Sequence, residues 1–348
     1  MAIKSNHFKA NELLSIAQEA ALQGGKYIHD QYFANKEFII REKKKNDFVT
    51  NLDIESEKII KKLIKSYNPN ALIIGEEEGE EGSNSETIIW FVDPLDGTNA
   101  FIRSNIAFVS VSVAAVNNKT KEVLAGVVYN PFTEMLYTAS DKDTFLNGTI
   151  KLSNDQHVPL QRARILIDFS DHHPSYFRKI LGTADVDHIG RILRYDGSFA
   201  QHMCLIANGT LDGGLFWGVG DKGNFYDLAS ALIICRNAGL LVTDLYGKDL
   251  TFTSRHYDQL VVGPPELHKE LMQFVKDIFF LSVQNLSELE SEILMYLRNA
   301  ERSVQIKNIK NKFSGTSLTI LQNCLHDLKD KNLISISKSW IKFNNSFS

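Results

Sequence analysis

Asp93 and Asp96 are the side chains with the clearest capacity for chemistry in this sequence, three residues apart in Trp90-Phe91-Val92-Asp93-Pro94-Leu95-Asp96-Gly97-Thr98-Asn99-Ala100-Phe101. They stand where an apolar strand, Ile88 to Val92, gives way to a Gly-Thr turn. Pro94 has no N–H to give to a sheet ladder, so pairing is expected to stop beside Asp93. Carboxylate oxygens bind hard cations such as Mg²⁺, and free amides at a turn or helix start hold phosphate. Asp96, Gly97 and Thr98 therefore set a cation site beside an anion site, which is what phosphoester hydrolysis requires.

Asp47, Glu76 and Asp227 are further carboxylates beside turns or helix starts, and spacing alone does not bring them together. The string from Asp93 to Phe101 matches D-P-x-D-G-T-x-x-F, and through it the chain resembles the inositol monophosphatase family of Mg²⁺-dependent, lithium-sensitive phosphatases. Lys43 and the run Asp47 to Asp53 resemble that family's K-x-x-x-D-x-V-T-x-x-D segment. Gly75-Glu76-Glu77 resembles its Gly-Glu-Glu at a strand end. Tyr226-Asp227-Leu228-Ala229 and Ala238-Gly239-Leu240 resemble its W-D-x-A helix start and A-G-G turn, covering in all roughly residues 8 to 275.

The resemblance implies two to three Mg²⁺ ions. One would be held by Glu76, Asp93 and the carbonyl of Leu95, a second by Asp93, Asp96 and Asp227, and a weaker third near Glu76. Thr98, oriented by Asp47, would position the attacking water. Substrate contacts would come from Asp96, Asp227, the amides of Gly97 and Thr98, and the helix opening at Gly197-Ser198. The expected substrate is a small phosphorylated metabolite, inositol monophosphate-like first. A 3′(2′),5′-bisphosphate nucleotide, fructose 1,6-bisphosphate and histidinol phosphate are the alternatives. Phe216 stands where the family commonly carries a glutamate that binds substrate hydroxyls, and Asp221 in the loop Gly218 to Asn224 is a replacement for it. The family also implies a homodimer.

These residues need a frame. Leu13, Ala17, Ala20, Gly24 and Ile28 recur at helical spacing over 10–32, as do Ile59, Ile60, Leu63 and Ile64 before Pro69. A strand over Glu37 to Arg41 and a helix opening across Asn46 to Asp53 lie between them. Ala71 to Gly75 is a buried strand, and the Gly/Ser/Glu-rich stretch Glu78 to Ser85 is a surface loop. Ile106 to Val116, Val123 to Tyr129 and Met135 to Ala139 alternate with short turns as an antiparallel meander. After about residue 160 strands alternate with helices at roughly 198–208, 225–238 and 265–280, the pattern of a mixed α/β half. The fold class is a layered αβαβα sandwich over 1–280, as in the inositol monophosphatase family.

From Ser287 a different pattern begins. A capping box at Ser287-Glu288-Leu289-Glu290, apolar stripes through Leu297, Phe313 and Leu328, and a hairpin over Ile334 to Phe343 resemble a winged helix-turn-helix in 281–348. Nine Lys and Arg against six Asp and Glu give this part +3, leaving −7 for the rest of a chain whose net charge is −4. That surplus is mild, so both a DNA partner and a protein partner stay open for it, and with them a regulatory protein that senses a phosphorylated ligand without turning it over. Cys204, Cys235 and Cys324 are far apart and in apolar settings, pointing to reduced thiols in a cytoplasmic protein with no membrane span. Asp171-His172-His173 reads as a solvent loop.

Overall fold

The computed structural model describes residues 9–34, 38–44, 47–169, 189–217, 225–245, 247–250 and 259–281, and toward the C-terminus 293, 297, 304–313, 317–330, 334–337 and 340–343. The chain divides into two compact units, Met1–Val275 and Lys276–Ser348.

In the first unit α1 (Ala10–Phe33) buries Leu13, Ala17, Ala20 and Ile28 on one face, and α2 (Asn51–Tyr67) buries Leu52, Ile60 and Ile64. The two helices pack on each other and on one face of an eight-stranded sheet. That sheet comprises β3 (Leu72–Gly75), β4 (Gly79–Glu81), β5 (Ile88–Asp96), β6 (Ser110–Asn117), β7 (Val123–Asn130), β8 (Met135–Ser140), β9 (Asp143–Leu146) and β10 (Ile150–Lys151). Its order is β10-β9-β8-β7-β6-β5-β3-β4, antiparallel from β5 to β10, with β3 parallel to β5. The expected meander is present and is longer than the sequence suggested.

The other face of this sheet carries α4 (Phe199–Ala207) and α5 (Phe225–Asn237). Beyond them lies a five-stranded sheet of β11 (Arg164–Phe169), β12 (Arg191–Leu193), β13 (Gly213–Trp217), β14 (Leu241–Thr243) and β15 (Gln259–Gly263), ordered β12-β11-β13-β15-β14. β11 runs parallel to β12 and β13, and β15 antiparallel to β13 and β14. Two adjacent glycines show how this sheet is sandwiched. A side chain on Gly214 would meet Ile206 of α4, and one on Gly213 would meet Leu271 of α6 (Pro265–Leu281). Helices thus cover both faces, and the layers run α-β-α-β-α.

Three local expectations are corrected. The first strand is β1 (Ile40–Lys44), and residues Asp47–Thr50 form β2, its antiparallel partner, before the helix starts. Phe48 and Val49 favour the pleated backbone there, and Thr50 is the residue that caps α2. The stretch 78–85 is not all loop, because β4 pairs with β3. Finally, β5 does not end at Pro94. Asp93 opposes Ser112 and Asp96 opposes Ser110, so three steps on β5 face two on β6. The missing N–H of Pro94 is absorbed by a bulge, and the ladder resumes.

In the second unit, β16 (Val304–Gln305), α7 (Ile306–Lys312), α8 (Leu318–Asp330), β17 (Ile334–Ser337) and β18 (Trp340–Phe343) follow in order. The strands form an antiparallel sheet ordered β16-β18-β17. Helical residues Ile293 and Leu297 share a buried core with Ile309, Leu321, Leu325, Leu328, Ile334 and Ile341. The capping box 287–290 lies outside the described residues.

Candidate active site

The bulge builds the first part of the site. It keeps Asp93 on a fully buried strand, its Oδ1 accepting from the Leu95 N–H at 2.9 Å, and carries Asp96 around to meet α4. Gly97 follows in the left-handed region (φ 93°), where a Cβ would press on the amide of Ser198 and the carbonyl of Phe108. That turn starts α3 (Thr98–Ile102).

Glu76 comes from the end of β3, its N–H donating to the Val92 carbonyl at 3.1 Å and so lying beside Asp93. Asp227 comes from the first turn of α5. This helix seats closely on the sheet because Gly126 leaves room for Ser230 and Ile233, and the Ser112 hydroxyl donates to the Tyr226 carbonyl at 2.8 Å. Three segments far apart in sequence thereby converge. Oxygens of Glu76, Asp93 and Asp227 all lie within 4.8 Å of one another.

Such a cluster resists ionisation. Burial, then the charges of Glu76, Asp227 and Asp96, hold Asp93 well above the usual carboxylate range. Burial and the charges of Asp96 and Glu76 do the same to Asp227. Burial also raises Glu76, and with the charge of Glu76 it pushes Glu77 up to about 8. Lys43 offsets part of this, its Nζ 3.2 Å from Glu76 and 2.7 Å from Glu77. Burial alone would lower its own ammonium, but those two carboxylates hold it above its usual value. A pocket of hard oxygen donors with excess negative charge fits a divalent cation of the Mg²⁺ type.

Two expected roles change. The Thr98 hydroxyl lies 2.9 Å from Asp53 Oδ1 and 3.0 Å from the Leu95 carbonyl. Among the described residues its carboxylate partner is Asp53, where the sequence pointed to Asp47. Asp53 is the third residue of α2 and closes a capping box with Thr50, whose amide and hydroxyl both donate to its Oδ2. Six residues earlier, Asp47 opens β2, and its side chain lies outside the described residues. The sequence signal for Asp53 was the T-x-x-D pattern of that box.

Ser198 is fully buried and faces Asp96 instead of the open pocket. Its hydroxyl donates to Asp96 Oδ2 at 2.6 Å, with the Ala200 N–H at 2.8 Å on the same oxygen and the Phe199 N–H at 3.2 Å on Oδ1. The amide of Ser198 is given to the Phe108 carbonyl at 2.7 Å. The start of α4 therefore binds a protein carboxylate, and Ser198 is corrected from a substrate contact to the clamp on Asp96. Burial raises the Asp96 carboxyl, while Ser198 and the two amides oppose that rise. Gly197 stays on the pocket wall with Phe48, Leu95, Gly97, Thr98 and Asn99. Phe216 is fully buried, its ring edge-on to Phe199 at 5.1 Å, whereas Asp221 and Asp171-His172-His173 lie outside the described residues.

Comparison with known proteins agrees with this geometry. A family model described as the inositol monophosphatase family matches residues 9–278. The chain is 31% identical over 277 residues to a fructose-1,6-bisphosphatase/inositol-1-monophosphatase of Aquifex aeolicus, covering 78% of this chain and 97% of that protein. It is 34% identical over 281 residues to Nus factor SuhB of Pasteurella multocida, covering 76% and 96%. The crystal structure of extragenic suppressor protein suhB from Bartonella henselae superposes with a TM-score of 0.67 at 24% identity, covering 75% of this chain and 97% of that one.

Proposed function

The chain belongs to the inositol monophosphatase family and is a phosphoric monoester hydrolase, and we propose that it uses Mg²⁺ to hydrolyse a small phosphorylated metabolite, inositol monophosphate-like first. The observation that carries this reading is the convergence of Glu76, Asp93 and Asp227 within 4.8 Å beside the Thr98–Asp53 pair. Glu76, Asp93 and the Leu95 carbonyl would hold one ion, and Asp93, Asp96 and Asp227 a second, with a weaker third near Glu76. Asp96 Oδ1 supports the second assignment, because among the described residues the Phe199 N–H is its one hydrogen-bond donor. Mg²⁺ bound there supplies charge neutralisation at the entering and leaving oxygens, worth several kcal/mol.

The chain's own groups do the rest. Thr98 Oγ1 would accept a hydrogen bond from the attacking water, and Asp53, which receives the Thr98 hydroxyl, would take up the proton passed on as the water attacks. Burial holds Asp53 above its usual value, although its bonds to Thr50 and Thr98 resist the rise. The amides of Gly97 and Thr98 face the phosphoryl oxygens at the start of α3. Gly197 lines the substrate side, while Ser198 acts through Asp96.

Phe216 offers no hydroxyl partner, which supports a substrate other than plain inositol monophosphate as the alternative. The fructose-1,6-bisphosphatase/inositol-1-monophosphatase relative makes a sugar bisphosphate the next ester to try. Phosphate release from an inositol monophosphate, fructose 1,6-bisphosphate, adenosine 3′,5′-bisphosphate and histidinol phosphate, each with Mg²⁺ and with EDTA, tests the reading. Mg²⁺-dependent turnover of at least one ester, inhibited by Li⁺, is expected, and silence across the panel overturns it.

The strand order β16-β18-β17 around α7 and α8 supports a winged helix-turn-helix in the second unit. With exposed Lys307, Lys310 and Lys312 on α7, that unit is a site for a protein or DNA partner. The Nus factor name of one relative favours a regulatory role beside the enzymatic one. A homodimer and a cytoplasmic setting complete the reading, the latter supported by three buried cysteines that form no disulfide.

A further inference from the structure

Glu57 has no part in the chemistry above, yet it is fully buried one helical turn after Asp53 on the same face of α2. A buried carboxylate is costly unless hydrogen-bonded and paired. Glu57 is both. Its Oε2 accepts from the Glu77 N–H at 2.8 Å and its Oε1 from the Glu78 N–H at 3.0 Å. The Lys61 ammonium, one turn further along and also buried, lies 2.7 Å from Oε1, and 3.5 Å from both Glu78 Oε2 and the Gly79 carbonyl. A Cβ on Gly75 would overlap the Glu57 carboxylate, so the last residue of β3 is glycine where this side chain enters.

Together with the Glu76 N–H on the Val92 carbonyl, three consecutive amides are fixed, the first by the strand that carries Asp93 and the next two by the helix that carries Asp53. The main chain of Glu76 is held from both sides. We propose that Glu57, charge-paired with Lys61, is a positioning residue that sets Glu76 against Asp93 and so fixes the affinity of the site for Mg²⁺. This rests on the reading of Glu76 as a metal ligand. The same pair holds two carboxylates of different duty in register, since Asp53 and Glu57 share one face of one helix.

Two variants of the full chain test it. Glu57→Gln keeps an acceptor oxygen and removes the charge, and Glu57→Gln/Lys61→Met also removes the ammonium that would otherwise be left buried and unpaired. Calorimetric titration of metal-free protein with Mg²⁺ alone is expected to show binding weakened roughly 10–100-fold in both. Hydrogen exchange at the amides of Glu77 and Glu78, measured without metal, is expected to accelerate about tenfold or more while amides of α1 stay protected. At saturating Mg²⁺, kcat is expected to return to within about threefold of the parent, with the loss lying in the Mg²⁺ concentration required.

Wild-type Mg²⁺ affinity in a folded variant overturns the proposal, as does unchanged exchange at the two amides. Fast exchange of those amides in the unaltered, metal-free protein overturns it without any variant. Failure of the unaltered protein to take up Mg²⁺ overturns the metal reading as well, which separates the two outcomes.

Discussion

The two compact units answer to different constraints. In Met1–Val275 the telling residues are buried charges: Asp53, Glu57, Asp93 and Asp96 lie in an interior where each must find donors or a cation. In Lys276–Ser348 the described interior is apolar, from Ile293 to Ile341, and the described charges are at the surface. Many apolar sequences can fill such a core, so its residues record packing alone. Buried carboxylates that face one another instead record the ligand they await.

The comparison breaks most readily at Asp93. Asp93→Asn is expected to lower kcat/KM on the order of 10³-fold with the circular dichroism spectrum unchanged, because it removes the charge of one of three converging carboxylates. Full activity in that variant would erase the distinction between the units. A sharper cut separates two aspartates six residues apart. Asp53→Asn is expected to cost about 10²-fold in kcat, while Asp47→Asn changes it less than about threefold, read by steady-state kinetics at saturating Mg²⁺.

The third expectation is a pH dependence. In the metal-free protein the cluster carboxyls sit above their unfolded values, so the folded state holds their protons more tightly. Their contribution to stability is present at low pH, below the unfolded values, and is lost as pH rises through the raised ones, up to about 8 for Glu77. Calorimetric melts in EDTA should therefore weaken between about pH 5 and about pH 8. Mg²⁺ at about 100 times its Kd restores about 2.7 kcal/mol. At one fixed Mg²⁺ concentration the shift should be larger at the higher pH, and an equal shift at both would show that Mg²⁺ uptake does not displace protons from these carboxyls. The smallest effect is expected from ending the chain after Leu281, which should alter phosphate release by less than about threefold, since the converging carboxylates all lie before that point. A larger loss would mean that the second unit completes the first.

The chemistry was legible where one contiguous string carried it. Asp93, Asp96, Gly97 and Thr98 could be read as a group because a strand end and a turn leave little choice of direction, and the meander followed from alternation between short turns. The partner of Thr98 was not legible, because two aspartates flank Val49-Thr50 and only the capping geometry decides which one swings 45 residues away in sequence to the hydroxyl. The role of Ser198 is hidden in the sequence for a related reason. Asp-Gly-Ser announces a helix start but is silent about whether the anion it receives is a ligand or the protein's own Asp96. Short strands such as β4, β9 and β10 carry too few residues for alternation to stand out. In the second unit the helix stripes and the hairpin were readable, whereas no residue there announced a chemistry.

The irregularity in β5 has a consequence for how this protein can change. Between Asp93 and Asp96 the strand carries one residue more than the partner it pairs with. A regular pleat over the same residues would turn Asp96, three steps on, to the side opposite Asp93, so the bulge is what brings both carboxylates to one face. Selection for tidier pairing over these residues and selection for turnover therefore pull in opposite directions at this one place.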